Sequence, residues 1–152
     1  MFNENLTLKG TLQLVLRDEY GNIKLDVLEE NRVVDAGLAH IASRLKDATA
    51  GVMTHMAVGT SNANDNDTQT ALTTEVARVA FDSAPTLVTT NVSNDSIQFV
   101  ATFPAGTGTG ALVEAGVLNN STGGTMLCRT IFSVINKGAL DSLTITWKVI
   151  VA

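Results

Sequence analysis

The chain has 152 residues, of which 45% are apolar and only 16% charged, and its net charge is −5 at neutral pH. That length fits a single domain with a self-sufficient core, since a chain of this size buries about 70% of its unfolded surface. The sparse charge excludes a disordered tail or a coiled coil, and its sign argues against nucleic acid: between Lys46 and Arg129 the only base is Arg78, against Asp47, Asp65, Asp67, Glu75, Asp82, Asp95 and Glu114. Thr and Val are abundant and Pro is scarce, which favours pleated sheet because β-branched side chains fit an extended backbone. The single cysteine, Cys128, allows no intrachain disulfide and no multi-cysteine metal site. No apolar run reaches the roughly 18 residues of a membrane span, and Met1-Phe2-Asn3-Glu4 lacks the basic and apolar regions of a signal peptide. Synthesis in the cytoplasm, with no membrane partner, is the expectation.

In chain order, the first element is a hairpin. Leu12, Leu14 and Leu16 alternate with Thr11, Gln13 and Val15, Asp18 to Asn22 supply a turn, and Ile23, Leu25 and Val27 resume the period of two. Asp35 then stands where an N-cap belongs, ahead of a short helix that ends near Asp47 and carries Leu38, Ile41, Ala42 and Leu45 on one face. Strands are predicted at Thr54–Val58, Glu75–Asp82, Thr86–Val92, Ser96–Phe103, Ala111–Leu118, Thr125–Phe132 and Leu143–Val151. Short strands parted by Gly, Asn, Ser and Thr loops, with no alternating helices, predict a mainly β fold: an antiparallel, jelly-roll-like β-sandwich with an N-terminal hairpin and one short helix. The whole chain, 1–152, reads as one domain, with the hairpin or arm at 1–34, the helix at 35–47 and the sandwich at 53–152. The polar loop from Gly59 to Thr70 is the longest and belongs on the surface.

Candidate chemistry is thin. Gly106, Gly108 and Ala111 match a loose dinucleotide fingerprint, but Pro104 precedes them and a strand follows where a helix N-terminus is required. Asn62, Asn64, Asp65, Asn66 and Asp67 resemble a calcium loop, yet Asp67 and Thr73 stand where an EF-hand needs Gly and a bidentate Glu. His40 and His55 show no zinc spacing, and Cys128 between Leu127 and Arg129 reads as a small buried hydrophobe. No metal, no cofactor and no enzymatic activity are expected. The more informative set is Glu75, Arg78, Glu114 and Arg129, each embedded in an apolar strand. Such charges either point outward or pair, because a lone buried charge costs several kcal/mol. A partly buried pairing of Arg78 or Arg129 with Glu75 or Glu114 is the expectation.

Five segments stand in a distinctive order: Met56-Ala57-Val58-Gly59-Thr60, Thr70 to Arg78, Glu114-Ala115-Gly116-Val117-Leu118, Gly123 to Arg129, and Leu143-Thr144-Ile145-Thr146-Trp147. Over roughly residues 33 to 152 this order resembles the virion structural proteins of tailed bacteriophages. The resemblance implies a non-enzymatic virion component, made in the host cytoplasm. The leading expectation is a capsid decoration or cement protein on the major capsid protein, self-associating as a homotrimer, with a dimer next. The alternative is a tail-fibre or baseplate module that binds host glycans, although one Trp and one Tyr offer few aromatic platforms.

Overall fold

A computed structural model describes residues 7–151, which contain β1 (Leu8–Arg17), β2 (Ile23–Val33), α1 (Asp35–Lys46), β3 (His55–Gly59), β4 (Glu75–Ala80), β5 (Thr86–Val88), β6 (Ser96–Phe103), β7 (Gly110–Leu118), β8 (Met126–Lys137) and β9 (Ser142–Val151). Residues 1–6 of the expected arm, and residue 152, lie outside the described residues. Period-two alternation builds the strands: along β9, Leu143, Ile145, Trp147 and Val149 are buried, while Thr144, Thr146, Lys148 and Ile150 face outward. No helix among the described residues is long and apolar enough to cross a membrane.

The mainly β, antiparallel class, the N-terminal hairpin and the short helix are all present, but the two-sheet, jelly-roll-like sandwich is not. All nine strands form one curled sheet, a half-barrel, in the order β4-β3-β7-β8-β2-β1-β9-β6-β5. The reason lies in β2. It runs along β1 from Ile23 to Asn31, then carries Arg32 and Val33 onto β8, so what would be two sheets are one. Hydrophobic periodicity is identical in both arrangements and does not distinguish them. The hairpin is likewise no free arm where it is described, because β1 pairs with β2 on one side and with β9 on the other.

The curled sheet encloses one main core. Leu12, Leu14, Phe99, Phe103, Ile145 and Trp147 from one half meet Met56, Val58, Leu112, Val117 and Ile135 from the other. At the far margins, the N–H of Asp82 reaches Val100 O at 2.8 Å and the Phe81 and Phe99 rings lie 5.2 Å apart, so the curl brings β4 back to β6. One open end is closed by the loop after Pro104. Gly106 donates to Ala139 O at 2.8 Å, and Lys137 Nζ donates to Pro104 O at 3.0 Å. Gly108, with φ at +66°, presses onto Val58, Ala77 and Phe103, so the Gly-rich run is a lid.

Element boundaries differ from expectation where side chains intervene. β5 stops at Val88 instead of Val92 because the Asp95 carboxylate takes the N–H groups of Thr90, Asn91 and Val92, each at 2.8 Å. β8 runs on to Lys137, past the predicted end at Phe132. Asp35 is not the N-cap: Val34 holds that position with no side-chain cap, and Asp35 is the first helical residue, its N–H on Asp67 O at 2.8 Å. Nor is the predicted helix face buried. Ile41 is half-buried, whereas Leu38 is exposed and Leu45 is 83% exposed.

The helix touches the sheet through Gly37, its only buried residue, which lies directly on the Leu127 carbonyl; a Cβ here would collide with that backbone oxygen. Gly37→Ala should therefore destabilise by about 1–3 kcal/mol, the cost of overpacking, despite alanine's higher helix propensity. Urea unfolding checks this, and a stabilised variant would show that the contact relaxes freely.

Candidate functional site

The four strand charges separate into two pairs. Arg129 on β8 and Glu114 on β7 are both 0% exposed, with Nη2 and Nε of the guanidinium 2.8 Å and 3.0 Å from Glu114 Oε2. Arg78 on β4 holds Glu75 with two bonds, at 2.7 Å and 2.9 Å, nearer the surface. Sequence reasoning expected a partly buried pair; for Arg129 and Glu114 the burial is complete. Arg129 sits in register opposite Gly116, where a Cβ would crowd Leu72 and Met126.

Both members of the buried pair are bonded to the loop between β3 and β4. Glu114 accepts from the N–H groups of Thr74 at 2.8 Å, Thr73 at 3.1 Å and Ser61 at 3.4 Å. Arg129 donates to Gln69 Oε1 at 3.0 Å, Ala63 O at 3.2 Å and Thr73 Oγ1 at 3.4 Å. Gly59 is required beside them, since a Cβ there would meet Glu114 Oε1 and Thr74 O. Leu72 plugs the same loop into a second apolar cluster with Val34, Ala57, Leu118 and Met126. Arg78 adds bonds to Asn120 O and Gly123 O at 2.8 Å and 2.9 Å, fixing the β7–β8 loop. Sequence analysis missed Gln69, Thr73 and Leu72; the signal available was Leu72 itself, the only large aliphatic residue in the polar stretch from Thr60 to Thr74.

The calcium-like stretch has a different employment. Asp67 and Asp65 accept from Arg32 at 2.6 Å and 3.3 Å, so a guanidinium stands among the carboxylates. Among the described residues, no three His, Cys, Asp or Glu side chains converge as metal ligands. Cys128 is fully buried, and desolvation pushes its thiol well above the ordinary range. His55 Nδ1 lies 2.7 Å from Thr54 Oγ1, while burial, helped by Arg44, lowers the pKa of His40.

An apolar groove of about 540 Å³ lies between α1 and the sheet, lined by Ile41, Leu45, Met53, Phe99, Val149 and Val151 among others. Its only ionisable lining residues are His40 and Arg44, and Arg44 Nη1 is tied to Ala48 O and Ala50 O. The rest of its lining is apolar. Lys137 is a further buried charge the sequence reading passed over; it is 2% exposed, and desolvation lowers its pKa against the pull of Asp141. Comparison of the chain with known protein families, curated proteins and solved structures finds no match.

Removing one partner of the buried pair strands the other charge, so Glu114→Ala and Arg129→Ala should each cost about 3–5 kcal/mol in denaturant unfolding. A double replacement by apolar residues should not restore stability, because Ser61, Thr73 and Thr74 would lose their acceptor. Single variants within about 0.5 kcal/mol of wild type, as for ordinary surface changes, would contradict this account.

The Asp95 carboxylate is held well below its ordinary pKa by the N–H of Val92, with those of Asn91 and Thr90 assisting, and Asp47 is drawn down to about 2 by Lys46 and Thr49. A depressed carboxylate stabilises the fold above its unfolded pKa, about 3.9, and that contribution is lost as pH falls through the folded value. Asp95→Asn should be less stable at neutral pH and should lose less stability between about pH 4 and pH 2 than wild type. Parallel acid limbs for the two proteins would remove Asp95 from the account.

Proposed function

We propose that this protein is a non-enzymatic structural component of a tailed-phage virion, a decoration or cement protein bound to the shell of the major capsid protein. One observation carries the reading: the residues whose order resembles phage virion proteins are those that build the buried hub. Gly59 fits beneath Glu114, Glu114 holds Arg129 and the loop, and Arg78 binds Glu75 and the carbonyls of Asn120 and Gly123. The shared pattern is thus a pattern of rigidity, not of acid–base or nucleophilic chemistry.

The surface supports the same reading. The groove beside α1, with Leu45 and Val52 exposed at its rim, offers apolar area to a protein partner. Such a module clamps neighbouring capsomers by burying that area and by adding strand-edge hydrogen bonds, resisting internal pressure without a reaction. Cryo-electron microscopy of the intact particle tests the proposal. Density for this chain on the capsid lattice is the expected result. Density on the tail would replace it with a fibre or baseplate role, and particles without the chain would refute both.

A further inference from the structure

The floor of the groove beside α1 is made by the first residues of β1 and β6 and the last of β9, among them Leu8, Phe99 and Val149. The helix forms one wall with Ile41 and Leu45, and His40 and Arg44 are the only ionisable groups in the described lining. Arg44 Nη1 donates to Ala48 O and Ala50 O, and among the described residues no carboxylate binds this guanidinium. β1 enters the sheet at the same place. Leu8 pairs with Val151, but pairing with β2 begins only at Gly10, where Arg32 and Val33 have crossed to β8. Ahead of Leu8 the described residues therefore offer the chain no further rung. Alternation fixes which side chains face inward: Leu8 is half-buried and lines the groove, while Thr7 and Lys9 are exposed. Carried back along the sequence, the same period puts Phe2, Glu4 and Leu6 on the side of Leu8, and Asn3, Asn5 and Thr7 on the other. The inward set is apolar, acidic, apolar, and Glu4 is the only charged side chain in residues 1–6.

We propose that residues 1–6 of the chain lie extended in this groove, with Phe2 and Leu6 on its apolar lining and the Glu4 carboxylate on the Arg44 guanidinium. Reach permits it. Six extended residues cover about 20 Å, and α1, with 12 residues, is about 18 Å long. Ala48 and Ala50 occupy only Nη1 of Arg44, which leaves Nε and Nη2 for a carboxylate. The sign of the charge matches as well: the one acid of the segment meets a groove whose ionisable groups are a base and a histidine. The segment joins the sheet at the groove's own rim, so its effective concentration there is about millimolar, which favours it over the same segment of a second copy. The inference does not rest on the virion reading; a shell partner at the rim meets Leu45, Val52 and the seated segment together.

Nuclear Overhauser effects in the full chain should join the Phe2 ring to methyl groups of Ile41 and Val149, unchanged on dilution. In a mixture of isotope-labelled and unlabelled copies, filtered spectra that report only contacts between copies should not contain them. Phe2→Asp and Glu4→Lys should each raise the fluorescence of the neutral apolar dye Nile red severalfold at unchanged circular dichroism, because each uncovers the groove. Asn3→Lys and Asn5→Lys, on the outward side, should leave the dye signal at the wild-type level. Absence of the Phe2 contacts, or their presence between copies in the filtered spectra, would overturn the proposal. A dye signal indifferent to Phe2→Asp, or raised as much by Asn3→Lys and Asn5→Lys as by Glu4→Lys, would do the same. None of these results depends on whether the chain is found on a capsid.

Discussion

The structure turns on the buried ion pair between Glu114 and Arg129. Taking both charges out of water costs several kcal/mol for each, and mutual attraction alone rarely compensates. Here the deficit is met by the β3–β4 loop, which supplies three N–H donors to the carboxylate and three oxygen acceptors to the guanidinium. The dependence runs both ways. A connection this long without regular structure is uncommon in a compact domain, and this one is ordered because the pair lies beneath it. Arg32 and the N–H of Asp35 bind the same loop from the other side, so strand β2, helix α1 and the β7–β8 hairpin are all referred to one polar centre.

How much of this could be read from the sequence depends on the range of the interaction. Alternation of Leu, Val and Thr located every strand, since burial on one face writes itself into neighbouring residues. The pairing of charges within apolar strands was also legible, because an unpaired charge there would be too costly, although which base met which acid required the register. What was illegible depends on contacts distant in the chain. Arg32 and Val33 crossing to β8 turn two sheets into one without changing any local pattern. Gly37 against the Leu127 carbonyl draws the first turn of α1 onto the sheet and leaves Leu38 and Leu45 outside, so an amphipathic pattern overstated the burial of the helix. The Asp95 carboxylate, by capturing three N–H groups, ended β5 where β-propensity alone carried it four residues further.

The half-barrel stays half closed for a related reason. At each place where the sheet could zip further, a side chain takes the backbone group that the next rung needs. Asp82 accepts the N–H of Thr102 at 2.9 Å just after its own N–H has reached Val100 O, so β4 touches β6 and goes no further. Thr130 does the same to the carbonyl of Glu30. Each substitution satisfies a polar group locally and removes the template for continued pairing, which costs little in hydrogen bonds and much in closure.

The ion-pair hub, the second apolar cluster and the covering loop lie over β3, β7 and β8, where the β7 strand is buried on both faces. The groove beside α1 exposes Leu45 and Val52 at its rim, while Met53, Phe99, Leu127 and Val149 in its lining belong to the main core. Changes at Leu28 or Leu45, both exposed, therefore have small effects on stability, whereas changes at Gly59, Glu114 or Arg129 act on the fold and reach every surface through it.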